Sequence, residues 1–67
     1  MITVTINGKA SEIDDGTTIQ QYLEARDLGG RSLAVAVNGN VLRREELPAV
    51  QLTDGDTVEI VRPVGGG

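Results

Sequence analysis

"DDGTTIQQYLEARDLGG", residues 14–30, decides the fold, because it holds one short helix and nothing longer. Asp14, Asp15 and Gly16 make a turn. Thr17 with Gln20, or Thr18 with Gln21, then supplies the capping box from which a helix starts. Ile19, Tyr22 and Leu23 share one face at helical spacing, leaving Gln20, Gln21 and Glu24 outward. Gly29 or Gly30 is expected to supply the left-handed residue that ends the helix. So short a helix, apolar on one side only, is marginal by itself and must lie on a sheet.

Strands flank it on both sides. "ITVTI", residues 2–6, alternates Ile2, Val4 and Ile6 against Thr3 and Thr5, the mark of a half-buried strand. Asn7-Gly8 is a two-residue hairpin turn. The return strand, about Lys9–Asp14, keeps only Ala10 and Ile13 as apolar residues and reads as an edge. After the helix, "LAVAVNGNVLRRE" is a second hairpin: Leu33, Val35 and Val37 alternate with Ala34 and Ala36, and Asn38-Gly39 is its turn. Residues 44–52 carry Leu47, Pro48, Val50 and Leu52 through one helical turn or an irregular crossing. "TDGD" is a turn, and "TVEIV", residues 57–61, is a last strand with Val58 and Ile60 inward. The order is β-β-α-β-β-β, an α+β roll of two layers with no linker or repeat. The helix covers one sheet face. The other, bearing Thr3, Thr5, Ala34 and Ala36, is open to water or to a partner.

Composition narrows the chemistry. The chain has 67 residues, room for one domain, with no Cys, His, Trp or Phe. Without Cys there is no disulfide or thiolate metal site, and without His the usual general base and zinc ligand are gone too. A self-contained enzyme is not expected. A net charge of −4 and a single aromatic, Tyr22, also argue against nucleic acid, which asks for a basic stripe and stacking rings. No apolar run reaches the roughly 20 residues of a membrane span, and no signal peptide is visible, so the chain reads as cytoplasmic.

Two stretches imitate sites. "TDGD", with Asp54 and Asp56, resembles the start of a calcium loop but lacks its later ligands and closing glutamate, so it is read as a turn. Gly29-Gly30 follows a helix instead of preceding one and is no phosphate loop. No metal site is expected. The run Arg43, Arg44, Glu45, Glu46 is a solvated face. Arg62, where the last strand leaves the fold, is either solvated likewise or turned to an acidic groove or phosphate of a partner.

The ending "VRPVGGG", residues 61–67, is different. Residues 1–63 make the domain, and 64–67 are expected to form a flexible glycine tail. Val64 to Gly67 spans roughly 13 Å when extended at about 3.3 Å per residue. Glycines without Cβ atoms pass through channels that exclude other residues. The terminal carboxylate is a poor acyl donor until it is activated as a mixed anhydride with a nucleotide. A sulfur or amine nucleophile then displaces the nucleotide.

With "DGTTIQQYL" at 15–23, "VAVNG" at 35–39, the segment L-x-D-G-D-x-V-E-I-V from Leu52 to Val61, and the closing Gly66-Gly67, the whole chain resembles the ThiS-type sulfur carriers of thiamin thiazole biosynthesis. The resemblance implies a ubiquitin-like β-grasp: a mixed sheet of four to five strands, its first and last strands parallel in the middle, one main helix on one face. It implies that an adenylating enzyme of the ubiquitin-activating type spends ATP on the Gly67 carboxylate. Sulfur from a donor protein, such as a cysteine desulfurase, then makes a thiocarboxylate, and thiazole synthase takes the sulfur. Gly67 would be the reacting residue and Gly66 the channel entry. Gly65, Val64 and Arg62 would meet the partner, with Ala34 and Ala36 on the open face. The domain itself would bind no cofactor. Sister carriers serving molybdopterin, cysteine or thio-sugar synthesis share this ending, as do ubiquitin-like modifiers joined through Gly67 to a target lysine.

Overall fold

The computed structural model describes residues 1–28 and 33–61. Within them the chain runs β1 (Ile2–Ile6), β2 (Lys9–Ile13), α1 (Ile19–Ala25), β3 (Ala34–Val37), β4 (Asn40–Leu42), a 3₁₀ turn (Arg44–Glu46) and β5 (Thr57–Val61). The β-β-α-β-β-β order stands. All five strands form one sheet in the order β2-β1-β5-β3-β4. β1 and β5 run parallel, and the other neighbours pair antiparallel. First and last strands therefore meet in the interior of the sheet, as a β-grasp requires.

Both hairpins turn at Asn-Gly with positive φ, 49° and 83° at Asn7-Gly8 and 51° and 86° at Asn38-Gly39. These are the left-handed pairs of a type I′ turn, whose twist matches that of the strands it joins. Alternation then sets the faces. Val4, Ile6, Val35, Val37 and Val58 are buried beneath Ile19, Tyr22 and Leu23 of α1, with Leu52 closing the core. On β2 the inward positions are Ile13 and Ser11, opposite Ile2 and Val4. Ala10 pairs with Thr5 and points to the open face, so β2 contributes a single apolar side chain to the core.

The helix start is settled by hydrogen bonds. Thr18 is the N-cap: its Oγ1 accepts from the Gln21 amide at 3.1 Å, and Gln21 Oε1 accepts from the Thr18 amide at 2.9 Å. The next two amides, which no helical carbonyl can reach, donate to the crossing segment: Ile19 to the Val50 carbonyl at 3.0 Å, Gln20 to Leu47 at 3.1 Å. The irregular stretch 47–52 is thus stitched to the helix it passes.

The helix stop differs from expectation. Its left-handed residue is Asp27, φ 61°, and not Gly29 or Gly30, which lie outside the described residues. Leu28 donates to the Leu23 carbonyl at 2.7 Å and Asp27 to Glu24 at 3.1 Å, the paired bonds of a Schellman ending. Glycine is the commonest residue at such a site, which drew the expectation two residues too far. Aspartate is short enough to take the same conformation.

Candidate functional site

The site expected from the sequence lies where β5 ends. Arg62, Val64, Gly65, Gly66 and Gly67 fall outside the described residues, as does the proposed boundary between domain and tail. What the structure gives is the platform from which they leave. Val61, the last described residue, pairs with Ala34 on β3, so Ala34 stands beside the point of departure. Ala36 faces Glu59 on one side and Val41 of β4 on the other. Ala34 and Ala36 thus share the open face, as alternation predicted.

Two further members of that face went unnamed. Val41 is 75% exposed and Val61 57% exposed, the two large aliphatic side chains that the strands leave in water. Together with Ala34 and Ala36 they form an apolar corner over β3, β4 and the end of β5. Parity would have found both, since Leu42 and Ile60 point inward and their neighbours must point out. Glu59 adds one carboxylate beside Ala36. Toward β1 and β2 the same face becomes polar, with Thr57, Thr5, Thr3 and Glu12. A low, apolar patch with a charge at its margin suits a protein surface better than a small molecule.

β5 is held from both flanks by the hairpin asparagines. At its start, Asn38 Oδ1 accepts from the Thr57 amide at 2.9 Å, and its Nδ2 donates to Asp56 Oδ1 at 2.9 Å. At its end, Asn7 Oδ1 accepts from the Ile60 amide at 2.8 Å, and its Nδ2 donates to the Ile60 carbonyl at 3.2 Å. Local pattern marks these residues as turns but says nothing of their bonds to a distant strand.

The carboxylates of "TDGD" are occupied by the turn. Asp54 Oδ1 accepts from the Thr3 amide at 2.8 Å, and Asp56 Oδ2 from the Thr53 amide at 2.8 Å. Burial pushes the Asp56 carboxyl up, but the Thr53 amide and the Asn38 side chain outweigh it and hold it below its ordinary value. Among the described residues, no three acidic side chains gather to hold a metal ion. No described helix is long and apolar enough to cross a membrane.

Comparison with known proteins reaches beyond the described residues. The model of the ThiS family matches residues 4–67. The chain is 36% identical over 63 residues to the sulfur carrier protein ThiS of Bacillus subtilis, a match spanning 92% of this chain and 96% of that one. It is 29% identical over 66 residues to the uncharacterized protein ycf40 of Porphyra purpurea, across 98% of this chain and 93% of that one. The crystal structure of the thiamine biosynthesis protein ThiS from Geobacter metallireducens superposes with a TM-score of 0.83 at 35% identity, over 98% of this chain and all of the other.

Proposed function

The chain belongs to the ThiS family of sulfur carriers with a ubiquitin-like β-grasp fold, and from that premise we propose that its Gly67 carboxylate is the sulfur-bearing group. An adenylating enzyme of the ubiquitin-activating type joins the carboxylate to the nucleotide of ATP, expelling pyrophosphate. A persulfide on the donor protein attacks the acyl adenylate and expels AMP to give an acyl disulfide. A partner thiol cleaves its S–S bond, leaving the thiocarboxylate and a protein disulfide, and the thiocarboxylate sulfur passes to thiazole synthase for thiamin. The domain is a handle in this scheme, and the catalytic groups belong to its partners.

The observation that carries the reading is a family match continuing through Gly66 and Gly67 to the last residue. The apolar corner of Ala34, Ala36, Val41 and Val61 supports it, because a partner gripping that face stands next to the tail's departure point. Residues 65–67 are all glycine and so fit a narrow channel to an active site, Gly66 and Gly67 being the pair the family shares and Gly65 an addition.

The test is mass spectrometry of the intact protein after incubation with its adenylating enzyme, ATP and a sulfur donor. Exchange of one oxygen for sulfur at Gly67 is expected, and removal of Gly67 should abolish it while circular dichroism stays unchanged. A carrier still loaded without Gly67 contradicts the reading. An isopeptide to a lysine would make the chain a modifier. Sulfur passing to an acceptor other than thiazole synthase would move it to a sister pathway.

A further inference from the structure

β1 ends one residue short of what β5 needs. The backbone groups of β5 alternate between flanks: Asp56 and Val58 accept from Thr5 and Asn7 on the β1 side, while Thr57 accepts from Asn38 on the β3 side. By that alternation Ile60 points both its groups toward β1, where the chain has already turned away at Asn7-Gly8. The Asn7 side chain takes the place of the missing strand residue, accepting from the Ile60 amide at 2.8 Å and donating to its carbonyl at 3.2 Å. The turn does not demand an amide there, since Gly and Asp also adopt its φ of 49°. The second hydrogen-bonding group is spent on β5, next to where residues 62–67 begin.

We propose that Asn7 is a positioning residue for activation of the C-terminus, an inference that rests on the carrier reading above. By pairing both groups of Ile60, it keeps β5 in the sheet as far as Val61. The apolar corner stays complete, and the following six residues start from a fixed point. Without that side chain both Ile60 groups turn to water and the last two strand residues fray. A partner must then select the paired state from a mixture, and its apparent affinity falls with the paired fraction. The carboxylate chemistry after docking does not change.

The experiment is steady-state adenylation with the carrier as varied substrate, comparing wild type with Asn7→Gly, Asn7→Asp and Asn38→Gly. Glycine keeps the left-handed turn and deletes both bonds. Aspartate keeps the acceptor but sets a carboxylate against the Ile60 carbonyl. Asn38→Gly removes the equivalent pair at the far end of β5 and controls for lost stability. For Asn7→Gly, KM should rise about three- to tenfold with kcat within about twofold. Asn7→Asp should also raise KM, and Asn38→Gly should leave both constants near wild type. In the free protein, the Ile60 amide should exchange faster in both Asn7 variants and not in Asn38→Gly. An unchanged KM in Asn7→Gly, or an equal rise in Asn38→Gly, overturns the role of Asn7 while the carrier reading stands. A wild-type chain that is never adenylated overturns both.

Discussion

Asp56 shows how one side chain links a turn to the central strand. It accepts from Thr53 within its turn and from Asn38 across the sheet. Because its carboxyl is held below the ordinary value, the folded chain binds that proton more weakly than the unfolded chain does. The ionised group therefore stabilises the fold. This contribution is complete above the unfolded value near 3.8 and is lost as pH falls through the lower folded one. Asp56→Asn should cost about 1 kcal/mol at neutral pH, since an amide replaces an acceptor charged on both oxygens. In urea titrations the gap between variant and wild type should begin to narrow below about pH 4 and close as pH falls through the lower folded value. A gap of constant size at pH 3 would mean that geometry, not charge, is what Asp56 supplies. From sequence, the aspartate was legible as a turn residue. Its partner 18 positions away was not, because that contact exists only once β3 and β5 lie side by side.

Helix α1 has only seven residues, so its ends decide whether it forms. The beginning was legible to within one residue, because Thr18 and Gln21 satisfy each other locally. The end was not, because the left-handed position went to Asp27 ahead of the glycines. That choice is costly: a side chain at φ 61° meets its own backbone, and its charge sits at the negative end of the helix. Asp27→Gly relieves both and should stabilise by about 0.5–1 kcal/mol, raising Tm by a few degrees. Thermal unfolding followed by circular dichroism checks this. A lower Tm would show that the Asp27 side chain makes a favourable contact outweighing its strain. The strands were the most legible elements, since period-two alternation of Val and Ile against Thr and Ala survives into the buried and open faces unchanged. Only β2 resisted, because its one inward apolar residue, Ile13, is too little to define a parity.

At the scale of the whole molecule, one face is committed to the helix and the other carries the apolar corner. That asymmetry predicts where a partner binds. Because Glu59 stands opposite Ala36, introducing an acid there would confuse docking with like-charge repulsion. Ala36→Lys is the cleaner probe. It places a charge in the corner, should lower affinity for the adenylating enzyme at least about tenfold in titration calorimetry, and should leave folding intact. Gln21→Glu, on the helical side, keeps its capping acceptor and should bind as wild type does. Equal losses in both would remove the open face from consideration. The topology was legible as a roll, but which strands adjoin came from resemblance and not from pattern, since alternation is silent about neighbours. That adjacency bears on how the molecule is made. β5 is the seam between two half-sheets, β2-β1 and β3-β4, which do not touch each other directly. It is also the last of the described elements in chain order. A chain cut between Leu42 and Thr57 keeps two hairpins that no strand joins, and its core lacks Val58. A folded handle therefore exists only in a chain that contains β5, so a chain cut short before it presents no decoy to the activating machinery.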